Sequence, residues 1–459
     1  MELEEAISLG LDLGADFIDI REQRILTTSI EIVDGVVRTL STGKKEGYGI
    51  RSFCRGAWGF SVAHGRSRDA LKKAIEDSVK LAKISASLKK EKFELQGRDY
   101  EGKASISRIE DPLDVPIDEK LGMALEFEKS ARIDDRVKNV TVRYNDVVLY
   151  ERVLNSFGTN VEQEISRVNS YVFVYASEAG ITERAFEGIG GTTGFEILRS
   201  EKASLMGEKA ARRAVELLSA KSAPSGPYKA ILDQRLAGIF IHEAFGHATE
   251  ADEVLAKMSV LEGKIGTTVG SELVNVIDDP TIPDLYGSYP FDDEGTPSKR
   301  KYLVKEGVLV GFMHSLETSS RMKQECTGNG RSMSYSTPPL VRMSNTFIDR
   351  GDWKFEELLE EIDEGIYAKG GLYGYTEPSK GQFMFKAEEG WLIRKGELVE
   401  RLREVAIAGM TLEVLYNIDA VADDLEMRIG HCGKEGQWVP TTSGAPHIRV
   451  KRMVFGGLR

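Results

Sequence analysis

The chain has 459 residues, 41% of them hydrophobic, with a formal net charge of −12 at pH 7, which is enough for two or three domains with a sizeable core. The acidic balance argues against a nucleic-acid binder, whose surface would be basic. No apolar run approaches the roughly 18 residues of a membrane span, so no membrane partner is expected. The N-terminus "MELEEAISLG" has no signal-peptide pattern. Cys54, Cys326 and Cys432 are widely separated and odd in number, which disfavours a disulfide framework and fits a cytoplasmic chain. The 46 glycines suggest many turns and much β-structure.

Leu3, Ile7 and Leu11 recur at helical spacing. "DFIDIRE" alternates as a strand does, and "TTSIEIVDGVVRTLS" reads as a hairpin about Asp34-Gly35. "YGIRSF" and "AWGFSV" continue the strands, and "SRDALKKAIEDSVKLAKI" is an amphipathic helix with Ser67 as N-cap. This first α+β subdomain is expected over residues 1–90, followed by a polar connector to about 115. A helix over "PIDEKLGMALEFEKSARI", two long β-rich stretches and a helix over "EKASLMGEKAARRAVELLSAK" make a second α+β subdomain, 91–221. The linker-like "SAPSGP" opens the third, 222–459. There a strand "YKAILD" and the cap Asp233 lead into "QRLAGIFIHEAFGHATEADEVLA", a helix apolar almost all round and therefore expected to be buried. Short strand-like runs follow, with one more helix, "WKFEELLEEIDEGI". The fold class is α+β, an N-terminal α+β region followed by a largely antiparallel β C-terminal domain enclosing the histidine helix.

That helix carries the chemistry. His242 is followed at once by Glu243, as in the zinc-binding motif H-E-x-x-H, but the second histidine, His247, comes five positions later instead of four. On a regular helix a four-residue step separates side chains by about 40° and a five-residue step by about 140°. A π-bulge, which takes one extra residue, restores a common face. Gly246 is the residue most tolerant of such distortion. Two buried imidazoles and a carboxylate without partners are costly, and a cation removes that cost. A catalytic zinc site takes three protein ligands. The candidates for the third are Glu250, on the same face as His247, Asp252, and "GHCG" far downstream, with His431 and Cys432 side by side in a glycine-flanked loop. Oxyanion stabilisation points to Arg331, Lys434 or glycine-loop N–H groups, and Asp292 to Gly295 reads either as a support for a histidine or as a solvated turn.

The stretches "HEAFGH", "FDDEGTP" (291–297), "TGNGR" (327–331) and "CGKEGQWVP" (432–440) occur in that order, and "YGIRSFCRGAWGFS" stands near the start. With these the chain resembles the TldD/PmbA family, and within it the metal-bearing TldD branch. The resemblance covers nearly the whole chain and implies a zinc-dependent peptidase acting on unfolded or leader-type peptides. His242, His247 and Cys432 match the zinc ligands and Glu243 the general base. It also implies a dimer, with itself or with a PmbA-type homologous subunit. His431 beside Cys432 leaves open whether the cysteine alone serves from that segment. A metal-stabilised peptide-binding module and a non-proteolytic zinc amidohydrolase are the alternative readings.

Overall fold

The structure is a computed structural model and describes residues 2–89 and 91–456. The chain is mixed α+β with mainly antiparallel sheets. Strands Phe17–Val33 and Val36–Cys54 form the expected hairpin. Its two turn residues, Asp34 (φ 50°) and Gly35 (φ 75°), take the left-handed conformations of a type I′ turn. Phe17–Val33 also pairs along its length with Val137–Asn155. Strands from both halves of the N-terminal region thus share one seven-stranded sheet. Helix Arg68–Leu88, whose N-cap Ser67 accepts from the Ala70 N–H, buries Leu71, Ala74, Ile75 and Val79 against this sheet. Helix Met206–Leu217 buries Ala210, Ala211 and Ala214 against strands Asn160–Glu178 and Ile181–Gly191.

Three local readings change. The connector after residue 90 contains a strand, Glu101–Ser105, paired in parallel with the start of Asn160–Glu178. The helix expected over 201–221 is broken at Leu205 into Glu201–Ser204 and Met206–Leu217. The helix expected over "WKFEELLEEIDEGI" is only Phe355–Glu360, because Glu364–Lys369 is drawn into the central sheet beside Gly226–Leu232. Sheet hydrogen bonds and the burial of Ile366 and Ala368 outweigh weak helix propensity there.

The C-terminal region is built from a ten-stranded sheet, a six-stranded sheet and a two-stranded one of Gly330–Arg331 and Leu340–Val341. Gly226–Leu232 lies inside the first, flanked by Ile448–Gly456 and Glu364–Lys369. It runs through Asp233, whose carboxylate caps the Leu236 N–H, into helix Gln234–Phe240. Leu236, Ala237, Phe240, Ile241, Ala244 and Phe245 all belong to the main core, so the all-round apolar pattern does mark a buried helix. Among the described residues no helix is long and apolar enough to cross a membrane, and the three cysteines are free thiols.

Candidate metal centre

The helix changes geometry where the five-residue step requires it. Gln234–Phe240 is α-helical, Ile241–Gly246 is π-helical, and the His247 N–H donates to the His242 carbonyl, five residues back. The extra residue turns both imidazoles to one side, with ring centroids 5.5 Å apart and planes nearly perpendicular. Gly246 serves differently from expectation. Its backbone is ordinary helix (φ −55°, ψ −49°), but a Cβ on it would lie 2.2 Å from Met343 Sδ. The glycine is there for space, not for backbone freedom.

Cys432 comes from the opposite side. It sits in strand Glu426–Lys434, not in a loop, paired with Gln437–Ala445 through a tight turn at Glu435 (φ 49°) and Gly436 (φ 75°). That hairpin is the edge of the six-stranded sheet, which packs against the histidine helix. Donor atoms of His242, His247 and Cys432 lie within 4.8 Å of one another, with Cys432 Sγ 3.5 Å from His247 Nε2. Arg342, fully buried, donates to the Cys432 carbonyl and to that of Gln437, so the strand that carries the thiol is held from beneath.

The electrostatics are those of a thiolate between two imidazoles. Burial alone would raise the Cys432 thiol, but the His247 charge and hydrogen bonds with both histidines bring it down to about 5. Burial opposes the charged form of each histidine, yet both are raised: His242 by Cys432, and His247, more strongly, by Glu250 and Cys432. His242 Nδ1 is buried without a hydrogen-bond partner among the described residues.

Glu250 and Lys434 take roles other than those expected. Glu250 Oε2 lies 2.9 Å from His247 Nδ1, on the ring nitrogen opposite the one facing Cys432, so it orients the imidazole. Lys434 Nζ lies 3.0 Å from Glu250, 2.8 Å from Asp252 and 3.4 Å from Glu253. Burial pushes the Glu250 carboxyl up, but His247 and Lys434 outweigh it and hold it at about 2. Tied to three carboxylates, Lys434 is not available as an oxyanion donor. Asp292 does not support a histidine either. It is buried and accepts from the Glu294, Thr296 and Gly330 N–H groups, while Glu294 pairs with Arg51 across to the N-terminal sheet.

Glu243, one residue beyond His242, is partly exposed, with Oε2 3.9 Å from His247 Nε2. It faces a cleft of about 370 Å³ that also holds His242 and His431. Tyr171, Phe186, Arg235 and Arg428 complete its walls, with Arg235 stacked over Phe186 at 3.9 Å. Sequence reasoning missed these four. For Tyr171 the available signal was the period-2 pattern of 160–178, whose alternate side chains must face something; Phe186, Arg235 and Arg428 carry no local signal.

Residues 18–82, 110–218 and 225–457 match the models of domain 1, the central domain and the C-terminal domain of the PmbA/TldA metallopeptidases. The chain belongs to the PmbA/TldD family. A metalloprotease of Methanocaldococcus jannaschii is 41% identical over 97% of this chain and 98% of its own length. A protein of Saccharolobus solfataricus named a zinc metalloprotease TldD homolog is 28% identical over 97% and 98%. The structure of TldE from Thermococcus kodakarensis superposes with a TM-score of 0.81 at 20% identity, covering 99% of this chain and all of that one, which shows the shared fold. Family membership makes this chain one of the metallopeptidases, and its three family segments together span both of the regions that meet at the cleft.

Proposed function

We propose that this chain is a zinc peptidase in which His242, His247 and Cys432 hold the ion and Glu243 is the general base. The observation that carries the reading is the convergence of three ligand atoms within 4.8 Å, with a partly exposed carboxylate on the same π-helical turn. Two imidazoles and a thiolate are a donor set suited to zinc, and the orphaned His242 nitrogen fits a ligand that the protein does not itself supply. The zinc named for the Saccharolobus relative agrees.

When bound, the ion supplies Lewis acidity, polarising a peptide carbonyl and acidifying water. The chain supplies the rest. Glu243, free of a competing hydrogen bond to Lys434, accepts the proton from water and returns it to the departing amine. Glu250 fixes the His247 tautomer, and Lys434 keeps Glu250 ionised. The cleft runs between a strand of the N-terminal sheet and the Cys432 hairpin, a shape that suits an extended, unfolded segment of the leader-peptide kind. We assign the chain to the cytoplasm, since a buried reduced thiol is part of the site. We also infer that it dimerises with a homologous subunit or itself, and that its three segments divide near residues 90 and 221.

Glu243→Gln tests the reading. Zinc content of the purified variant should match wild type while cleavage of an unfolded polypeptide falls about a hundredfold or more, the scale of general acid–base groups. Loss of zinc along with activity would make Glu243 a ligand. Peptide binding by wild type without cleavage, in zinc-loaded protein, would favour a binding module.

A further inference from the structure

Next to the metal cleft lies a second cavity of about 340 Å³, and His431 lines both. The two lie side by side along the same two walls. The first wall is strand Asn160–Glu178, on which Gln163, Ile165 and Arg167 face the second cavity and Tyr171 faces the metal cleft, all at odd positions as period 2 requires. The other wall is the Cys432 hairpin: Arg428 and Gly430 line the metal cleft, Trp438 and Pro440 the second cavity. At the junction Asn169 donates to the Tyr286 hydroxyl, which lies 3.2 Å from His431 Nε2.

The second cavity is built around two guanidiniums. Arg167 and Arg331 are 8% and 5% exposed, and neither makes an ion pair among the described residues. Arg167 donates to the carbonyls of Tyr286 and Ser288, and Arg331 to those of Met343 and Pro440. The acids in and around the cavity have hydrogen-bond partners of their own. Asp292 takes three backbone N–H groups, Asp293 takes the Ser332 N–H and stands 3.9 Å from Arg21, and Glu151 takes Gln23 and Gln163. Burial, and then the like charge of Arg331, pull Arg167 down to about 10. Asp292 and Asp293 line the same cavity, but each is taken up by backbone N–H groups and neither forms an ion pair with Arg167 or Arg331 among the described residues, so the two buried guanidiniums leave electrostatic attraction unused. A guanidinium fork matches a carboxylate in shape and charge.

We propose, resting on the peptidase reading above, that this cavity is an anion subsite that takes a carboxylate of the peptide substrate at Arg167 and Arg331. The carboxylate is either the peptide's C-terminus or an acidic side chain. Arg167 and Tyr171 are four residues apart on one strand face, on the order of 13 Å at about 3.3 Å per residue, so an extended peptide places that carboxylate about four residues from the scissile bond.

The test uses full-length Glu243→Gln protein loaded with zinc and labelled, unstructured peptides of equal length, with binding read by fluorescence anisotropy. One peptide has a free C-terminal acid and no other carboxylate. The second is its C-terminal amide. The third set is that amide with a single Glu replacing Gln at successive positions. A carboxylate-bearing peptide is expected to bind about tenfold or more tighter than the neutral amide, the scale of a hydrogen bond to a charged group. Preference for the acid assigns the site to the terminus, and preference for a Glu-bearing amide assigns it to a side chain. Arg167→Met in the same background should abolish the preference, with Arg167→Lys restoring part of it. Equal affinity for all peptides, or binding of none, overturns the subsite, and this arm needs no cavity variant to fold. Cleavage of the same peptides by wild type separates the two readings. Peptides cut without any charge preference in binding sink the subsite alone. A carboxylate preference with no cleavage supports the subsite and sinks the peptidase reading.

Discussion

Lys434→Met removes the cation that holds the acidic cluster behind His247. The Lys434 side chain is 7% exposed and Glu250 is fully buried, so this pair falls in the buried class, where removing one partner costs about 3–5 kcal/mol. The other two partners, Asp252 and Glu253, are partly solvated, and their share is small because exposed pairs contribute about 0–1 kcal/mol. Glu250 keeps His247 as a partner when Lys434 is gone, so the loss sits near the low end, about 3 kcal/mol, a large part of the roughly 5–15 kcal/mol that keeps a protein folded. It has a chemical consequence as well. Glu250, without Lys434, pulls harder on a proton at His247 Nδ1 or takes one itself, and either change loosens the imidazole that faces Cys432. Metal affinity should fall about 10- to 100-fold, the scale for partners that orient ligands. Urea unfolding of metal-stripped protein, followed by circular dichroism, reads the first effect, and competition with a chromogenic chelator reads the second. The double variant Lys434→Met/Glu250→Gln should recover part of the stability, since no lone charge is then left buried. An unfolding free energy within 1 kcal/mol of wild type, together with unchanged zinc affinity, would refute the reasoning.

Cys432→Ser should leave the fold intact and lower the zinc content of the purified protein below one equivalent; a full equivalent would transfer the third position away from Cys432, with His431 the next residue to test. Gly246→Ala places a methyl group 2.2 Å from Met343 Sδ, an overpacking that should cost about 1–3 kcal/mol in thermal or urea unfolding, relieved by adding Met343→Ala; no destabilisation would mean that the π-turn has room. His314 is buried, and burial followed by the Lys299 charge lowers it to about 4. A depressed histidine means that the unfolded chain binds the extra proton, so its contribution favours folding above pH 6.5 and is lost as pH falls from 6.5 to 4, by on the order of 3 kcal/mol. His314→Gln should flatten the stability–pH curve in that window, and parallel curves for variant and wild type would contradict the assignment.

Local pattern was enough wherever one interaction range decides the outcome. The Asp34-Gly35 hairpin, the Ser67-capped helix and the buried character of 234–245 follow from turn chemistry, capping and all-round apolarity, which act between neighbours in the chain. The π-turn followed too, because a five-residue step between His242 and His247 has few solutions on a helix. What only the tertiary structure decided are the partners brought in from far away. Glu364–Lys369 is a strand because Gly226–Leu232 offers it a sheet edge, although its own sequence continues a helical run. Cys432 stands on a strand because Gln437–Ala445 pairs with its segment residue by residue, and Gly246 is small because Met343, about a hundred residues on, occupies the space. Lys434 faces inward to Glu250 instead of toward a substrate, since a buried carboxylate draws the nearest cation that can reach it. The cleft walls at Tyr171, Arg167 and Arg331 come from regions with no sequence relation, and burial against one another is what sets them side by side. The chain by itself therefore determined which residues can do the chemistry, through residue type and spacing. Which of them meet, and with what charge around them, depended on long-range packing that no local window contains.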